Sequence, residues 1–423
     1  MVAGLRISVE ISENKSIRIR GPARINVIDG ECYISGAKLS KGLQVIISAY
    51  KSQAIYSRSR ALVEIELGEG AGVDVAKPEE ESLFEWLEAA YKLATKGSRV
   101  VVIGPTESGK TSFSVLLANI AIEQGLRPCI VDGDVGQEDI GPPGFVALSC
   151  PSKQFVWLRD LEPQAMRFIG HNNPLMGSYR LIASIADLVS RASTQSDLIV
   201  INTDGWVSSP QAIEMKLDIA RYVGASHIVA LAGGSFMGHL PRKGFAEIVV
   251  LRSPQGVRVR SREERRALRS QAYKKAFEGS VMRSFSISEV IITGSCLFSG
   301  SPVSGEELSQ LSEALSTKVL YASILENTIY AFTEGGRESD KPLRLRDGRE
   351  VVVIPRGSEK GLLCSLVSRA REEYPCIIDS VDPENLRINV VTRYQGDVSA
   401  IIIGRIKLDE SYEDSWRGSR CQI

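Results

Sequence analysis

Gly104-Pro-Thr-Glu-Ser-Gly-Lys-Thr111 satisfies G-x-x-x-x-G-K-[ST] at every fixed position. Such a run is a phosphate cradle. Its glycines let backbone amides approach a β-phosphate, its lysine reaches the β/γ oxygens, and the hydroxyl after the lysine ligates Mg²⁺. The pattern predicts nucleotide contacts from Gly104, Pro105, Thr106, Glu107, Ser108, Gly109, Lys110, Thr111 and Ser112, with Thr111 on the metal. A chance match in a glycine-rich turn would lack the right neighbours. Here Val100–Ile103 reads as a buried strand, and Phe113, Leu116, Leu117 and Ile120 recur at helical spacing directly after the loop. Strand, loop and helix are the context the motif needs, so the chain binds a nucleoside triphosphate.

Two further clusters carry acids and an aromatic. Asp134, in Val131-Asp-Gly-Asp-Val-Gly-Gln137, falls 24 residues after Lys110, the length of one helix, one turn and one strand. A right-handed crossover would set that strand beside the first with its carboxyl end toward the phosphates. Asp134 there can hold Mg²⁺ through water or accept a proton from an attacking hydroxyl, and Asp132 is a second metal candidate. The plain alternative is two turn aspartates. Asn202-Thr-Asp-Gly-Trp206 ends another predicted strand, and Trp206 is either a hydrophobic plug or a platform for a base or loop. His171, in the polar loop Phe168–Pro174, reads as a bystander.

A basic stretch completes the chemistry. Arg258 to Lys275 holds eight basic residues against Glu263 and Glu264. Ser261-Arg-Glu-Glu264 matches a capping box, which predicts a helix start. On it Arg265 and Arg269 share a face, as do Arg262 and Arg266. Such a pair can clamp a transferring phosphoryl group, although most charge runs are simply solvated.

The elements that must position these residues fall into three zones. Residues 1–77 are short alternating runs (25–28, 31–34, 44–47, 54–56, 62–67), which suggest a small β domain. Residues 78–286 alternate strands (100–103, 129–131, 198–202, 228–231, 248–251) with helices (111–123, 180–192, 210–223, 261–277). That alternation predicts a parallel sheet, entered by a helix opening at Pro78 and carrying a lid near 258–277. Residues 287–423 return to β runs at 290–292, 351–354, 386–391 and 400–403, with one helix near 305–316. The fold class is therefore α/β, a central phosphate-loop domain flanked by small β-rich domains. Net charge is zero, so a nucleic acid would have to be held by a local patch. Seven cysteines form no C-x-x-C pair and read as reduced thiols without a zinc site. Met1–Lys15 has no signal-type apolar core, which gives an expectation of a cytoplasmic protein without a membrane partner. No N-K-x-D or T-K-x-D stretch follows the loop, which argues against a guanine-specific GTPase.

Taken together, the chain resembles the polynucleotide 5′-hydroxyl kinase family, the cleavage-factor and ribosomal-RNA-processing type. The matches are the loop 104–111, D-x-D-V-G-Q at 132–137, T-x-G-W at 203–206 and R-x-x-x-R at 265–269. F-x-G-x-x-x-P at 168–174 and Ile402-Ile-Gly-Arg-Ile-Lys-Leu408 are similar too. One departure is the end of the lid, Ala272-Tyr-Lys-Lys-Ala-Phe277, where the family is richer in aromatics. The resemblance implies Lys110 on the β/γ-phosphates and Asp134 orienting or deprotonating a 5′-hydroxyl. It implies Thr203 and Trp206 as a clasp at the substrate end, Gln137 near RNA, and Arg265 and Arg269 closing over the phosphates. The implied catalytic set is Lys110, Asp134, Arg265 and Arg269, the cofactors ATP and Mg²⁺, and the partners RNA 5′ ends, with DNA left open, and RNA-processing proteins. The reading is ATP-dependent phosphorylation of a polynucleotide 5′-hydroxyl. Its rivals are an ATP-locked assembly module that transfers nothing, and a kinase for a small nucleoside or sugar.

Overall fold

The structure is a computed structural model that describes residues 5–76, 80–232, 238, 240, 244–255, 259–336, 342–345, 348–416 and 423. The chain forms two compact units. One comprises 1–141, 146–165 and 174–265; the other comprises 142–145, 166–173 and 266–423.

In the first unit, the N-terminal strands obey a period of two. Along Ala61–Leu67, Ala61, Val63 and Ile65 are buried while Leu62, Glu64 and Glu66 are half-exposed. Leu5–Ile11, Ala61–Leu67, Ala23–Asp29 and Gln44–Ile47 make one sheet in that order. Ala37–Ser40, Glu31–Ile34, Ser52–Tyr56, Ser16–Arg20 and Gly72–Ala76 make a second. Ile17, Ile19, Ile25, Ile34, Ile47, Ile55, Val63 and Ile65 fill the core they share. The five expected strands are present. Leu5–Ile11, Ser16–Arg20, Ala37–Ser40 and Gly72–Ala76 are additional.

Helix α1 (Leu83–Leu93) starts later than the sequence suggests, its N-cap Ser82 sitting on left-handed backbone; Pro78 and Glu79 lie outside the described residues. Glu81 does not open the helix. It is buried, and both its oxygens accept from the buried Arg18 guanidinium, which also donates to Ser52 Oγ at 3.0 Å. Removing one partner of a buried pair strands the other charge, so Arg18→Met is expected to lower unfolding free energy by about 3–5 kcal/mol, read as a fall in urea midpoint. α2 (Lys110–Glu123) is buried almost throughout because it lies between the N-terminal strands and the next sheet. Its Asn119, wholly buried, donates to Ser35 O and Phe155 O, both at 2.8 Å, and accepts from Phe155 N at 3.1 Å.

The central sheet runs Ala165–Phe168, Phe145–Ser149, Pro128–Gly133, Leu198–Thr203, Ser98–Ile103, His227–Ala232, Glu247–Arg252. From Pro128–Gly133 onward all neighbours are parallel; Phe145–Ser149 runs antiparallel to Pro128–Gly133, their connection a loop too direct for a helical crossover. This order corrects one expectation. The strand bearing Asp132 is not beside the loop strand; Leu198–Thr203 lies between them, pairing Asn202 with Val102 on one side and Asp132 on the other. A crossover that skips one position leaves a slot that a later strand fills. α3 (Ser178–Ala192) and α4 (Pro210–Tyr222) follow, the latter capped by Ser209 accepting from Ala212 N. Among the described residues no helix is long and apolar enough to cross a membrane.

The cysteine expectation is also corrected. Cys129–Cys150 and Cys364–Cys376 are disulfides, Cys296 is disulfide-bonded, and Cys32 is free and buried. Ile130 faces Ser149 across antiparallel strands, which brings Cys129 to Cys150 one step on, and Cys364 faces Cys376 directly. Cross-strand adjacency leaves no C-x-x-C signature.

The second unit holds the sheet Val281–Ser286, Arg387–Thr392, Glu373–Asp382, Leu362–Ser368, Val398–Leu408, Ile291–Thr293. A smaller sheet built around Val319–Leu325, Thr328–Thr333 and Glu350–Pro355 is backed by α6 (Gly305–Leu315). The two motifs Phe168-Ile-Gly170 and Ile402-Ile-Gly404 meet here. A Cβ on Gly170 would lie 3.2 Å from Gly404 Cα, and Arg405 N donates to Gly170 O at 2.8 Å. Phe145, Phe168, Leu363, Ile406 and Leu408 close around Tyr273 and Phe277 of α5 (Arg262–Phe277). Those two aromatics seat the end of the lid helix without the further aromatics the resemblance led us to expect.

Candidate nucleotide and phosphoryl-transfer site

The phosphate loop turns between Ile103 and Lys110 on left-handed backbone. Glu107 has φ +63° and Gly109 has φ +97°. A side chain at Gly109 would be strained, and its Cβ would lie 2.5 Å from the Trp86 ring. Trp86 of α1 is fixed there by donating Nε1–H to Arg252 O at 2.9 Å and by an edge-on contact with Phe113. The place of Trp86 against a loop glycine was not legible from spacing.

Lys110 is buried, and its ammonium donates to Pro105 O at 2.8 Å. Burial lowers its pKa to about 8, opposed chiefly by the Asp134 carboxylate and aided by the Lys216 charge. Asp134 sits just past the strand end. Its Oδ1 accepts from Gly136 N at 3.2 Å and Gln137 N at 3.0 Å. Burial and then Asp204 push its carboxyl up to about 6, while Lys110 and Lys216 pull it down. That balance leaves an ionised but proton-ready carboxylate at neutral pH.

Asp132 is wholly buried at the end of its strand and pushed up to about 7, by burial first and by the Asp134 and Asp139 carboxylates next. Asn202 Nδ2 reaches both Asp132 Oδ1, at 2.8 Å, and Thr111 Oγ1, at 3.4 Å. Asn202 thus ties the loop hydroxyl to the acid, a link the sequence reading missed; a polar residue ending the apolar run Leu198–Ile201 was its only signal. Among the described residues no three His, Cys, Asp or Glu side chains cluster as a metal cage. Thr111 and Asp132 are instead oxygen donors of the sort Mg²⁺ uses when phosphates and water complete its shell. Among the described residues, Asn202 Oδ1 and Ser108 Oγ are buried without a hydrogen-bond partner, so a bound ligand's polar groups could satisfy them.

The segment after Asn202 leans on the loop. Thr203 Oγ1 is buried and donates to Val102 O at 2.8 Å, so its hydroxyl faces the sheet. A Cβ on Gly205 would lie within 2.5–2.8 Å of Thr106 atoms, so only glycine permits this approach. Trp206 is half-exposed, and its N–H donates to Asp204 Oδ1 at 2.9 Å. Gln137, also half-exposed, donates Nε2–H to Gly136 O. Loop residue Glu107, to which the sequence assigned only a nucleotide contact, is the anchor of the lid segment. Its carboxylate accepts from Arg260 N at 2.8 and 2.9 Å and lies 3.9 Å from Arg265 Nη1. The capping box forms as expected, Ser261 N to Glu264 Oε2 at 2.9 Å and Glu264 N to Ser261 Oγ at 3.2 Å. Arg258 lies outside the described residues. In the second unit, Arg269 is held by both oxygens of Asp414, at 3.0–3.1 Å, with Asn172 Nδ2 on the same carboxylate at 2.6 Å. His171 is in that loop.

Loop, acid strand and parallel sheet define the class, a P-loop nucleotide-binding α/β protein. The model of the mRNA cleavage and polyadenylation factor CLP1 P-loop matches residues 104–279. A polyribonucleotide 5′-hydroxyl-kinase of Pyrococcus horikoshii is 31% identical over 260 residues, 60% of this chain and 72% of the relative. Another, of Methanocaldococcus jannaschii, is 26% identical over 353 residues, 79% and 93% of the two chains. A CLP1 homolog of Arabidopsis thaliana is 25% identical over 307 residues, 64% and 66%. The solved structure of the wild-type Clp1p–Pcf11p (454–563) complex contains a chain that shares the fold at a TM-score of 0.64 and 13% identity, over 96% of this chain and 99% of that one. The chain belongs to this family of CLP1-type polyribonucleotide 5′-hydroxyl-kinases.

Proposed function

We propose that this protein is an ATP-dependent polyribonucleotide 5′-hydroxyl kinase. ATP and a 5′-hydroxyl RNA end give ADP and a 5′-phosphate end. The observation that carries the reading is the packing of the Thr203–Trp206 segment on loop residue Thr106, with Asp134 in the same charge network as Lys110. A module that merely held nucleotide would need the loop and not these acceptor-side groups.

In this reading the 5′-hydroxyl oxygen attacks the γ-phosphorus in line, its proton passes to the Asp134 carboxylate, and the β–γ bridging oxygen leaves with ADP. Lys110 turns from Pro105 O to the β/γ oxygens. Arg265 neutralises charge on the phosphoryl group, and Trp206 with Gln137 receives the RNA end; Thr203 serves that clasp through the backbone it fixes. Thr111 and Asp132 would hold Mg²⁺, which would supply charge neutralisation at the phosphate oxygens. We assign these steps to a cytoplasmic enzyme working with RNA-processing partners, and we propose 1–77, 78–286 and 287–423 as functional segments.

The test is transfer of labelled γ-phosphate from ATP to matched 5′-hydroxyl RNA and DNA oligonucleotides. Label on RNA is the expected result, and the DNA arm reports how strictly the 2′-hydroxyl is read. Tight ATP binding with no label on either polymer overturns the reading in favour of an ATP-locked assembly module.

A further inference from the structure

α4 presents Ala212, Ile213, Met215, Ile219 and Ala220 to the interior, and Lys216 occupies the same buried side at 1% exposure. Its ammonium is paired with Asp204, itself buried. Asp204 is the variable position of T-x-G-W, and its other oxygen accepts from Trp206 N. Every link of this turn is therefore tied to something different. Thr203 bonds the loop strand, Asp204 bonds α4, Gly205 abuts Thr106, and Trp206 hangs from Asp204. Burying two charges is costly, and an apolar pair of the same size would often stabilise a fold as well. What an ion pair adds is a fixed direction for the carboxylate, and here that carboxylate orients the backbone of the one residue in the turn whose side chain reaches solvent.

We propose that Lys216 is a positioning residue of the acceptor side: through Asp204 it sets how the Thr203–Trp206 turn offers Trp206 to the RNA end, touching neither substrate itself. This deepens the kinase reading and rests on it.

The experiment compares wild type, Lys216→Met and the double variant Lys216→Met with Asp204→Asn, which removes both charges yet keeps an oxygen for Trp206 N–H. Steady-state kinetics are run with ATP and a 5′-hydroxyl oligoribonucleotide varied separately, alongside thermal midpoints. Trp206 emission with ATP bound is read as the difference between each protein and its Trp206→Phe counterpart. The expected result is an oligonucleotide KM raised at least about tenfold in both variants, with the KM for ATP within about twofold. The double variant should recover the wild-type thermal midpoint without recovering that KM. If KM for RNA returns together with the thermal midpoint, the pair is only structural and the proposal fails. If wild type labels no 5′-hydroxyl end, the kinase reading fails separately, and the proposal is judged on Trp206 emission alone. A shift in both variants supports it; unchanged emission overturns it.

Discussion

Lys110→Ala is expected to reduce γ-phosphate transfer at least about 10²–10³-fold, to the level of a reaction without enzyme added in most assays. The buried ammonium donates to the loop carbonyl of Pro105, and its charge opposes that of Asp134. In the proposed reaction its loss removes the charge that follows the bridging oxygen as the β–γ bond breaks. It also raises the Asp134 carboxyl, because Lys110 is the first of the charges holding it down. Both effects oppose transfer, so ATP binding should weaken less than kcat falls. A variant that keeps more than about a tenth of wild-type kcat would be incompatible with Lys110 in the transition state.

Asp134→Asn should retain ATP affinity within about threefold and lose about 10²–10⁴-fold in kcat. The substitution is close to isosteric, and the Asn oxygen can still accept from Gly136 N and Gln137 N, so the turn survives. What disappears, in the proposed reaction, is the acceptor for the hydroxyl proton. Asp132→Asn is the necessary contrast, since that carboxylate is bound by Asn202 beside Thr111. Its loss should appear as a higher Mg²⁺ requirement, with rate recovering as Mg²⁺ is raised. If Asp134→Asn recovers with Mg²⁺ and Asp132→Asn does not, the two roles are exchanged.

The residues of the loop and the existence of the strands around it were legible because they are local: a fixed pattern, an apolar run, a helical period. Five expected strands and four expected helices of the central zone are where the spacing puts them, within two residues. The order of the strands was not legible. Nothing local to Pro128–Gly133 says that Leu198–Thr203 will enter between it and the loop strand, so Asn202 stayed hidden as the residue reaching both Thr111 and Asp132. Glu107 and Trp86 were missed for the same reason. Their partners, Arg260 and Gly109, are 153 and 23 positions away, and no periodicity links them. The disulfides escaped because cross-strand pairing, not motif spacing, brings their sulfurs together.

The apolar cluster around Tyr273 and Phe277 bears on how this chain can be made. It draws Phe145 and Phe168 from the middle of the chain and Leu363, Ile406 and Leu408 from near its end. A polypeptide released at Ser286 would therefore carry four large aromatics without Leu363, Ile406 and Leu408 to cover them. We expect it to aggregate or bind chaperones, and a ribosome must deliver residue 408 before those aromatics are shielded. We expect the 78–286 segment to need the residues that follow it for solubility rather than for its chemistry.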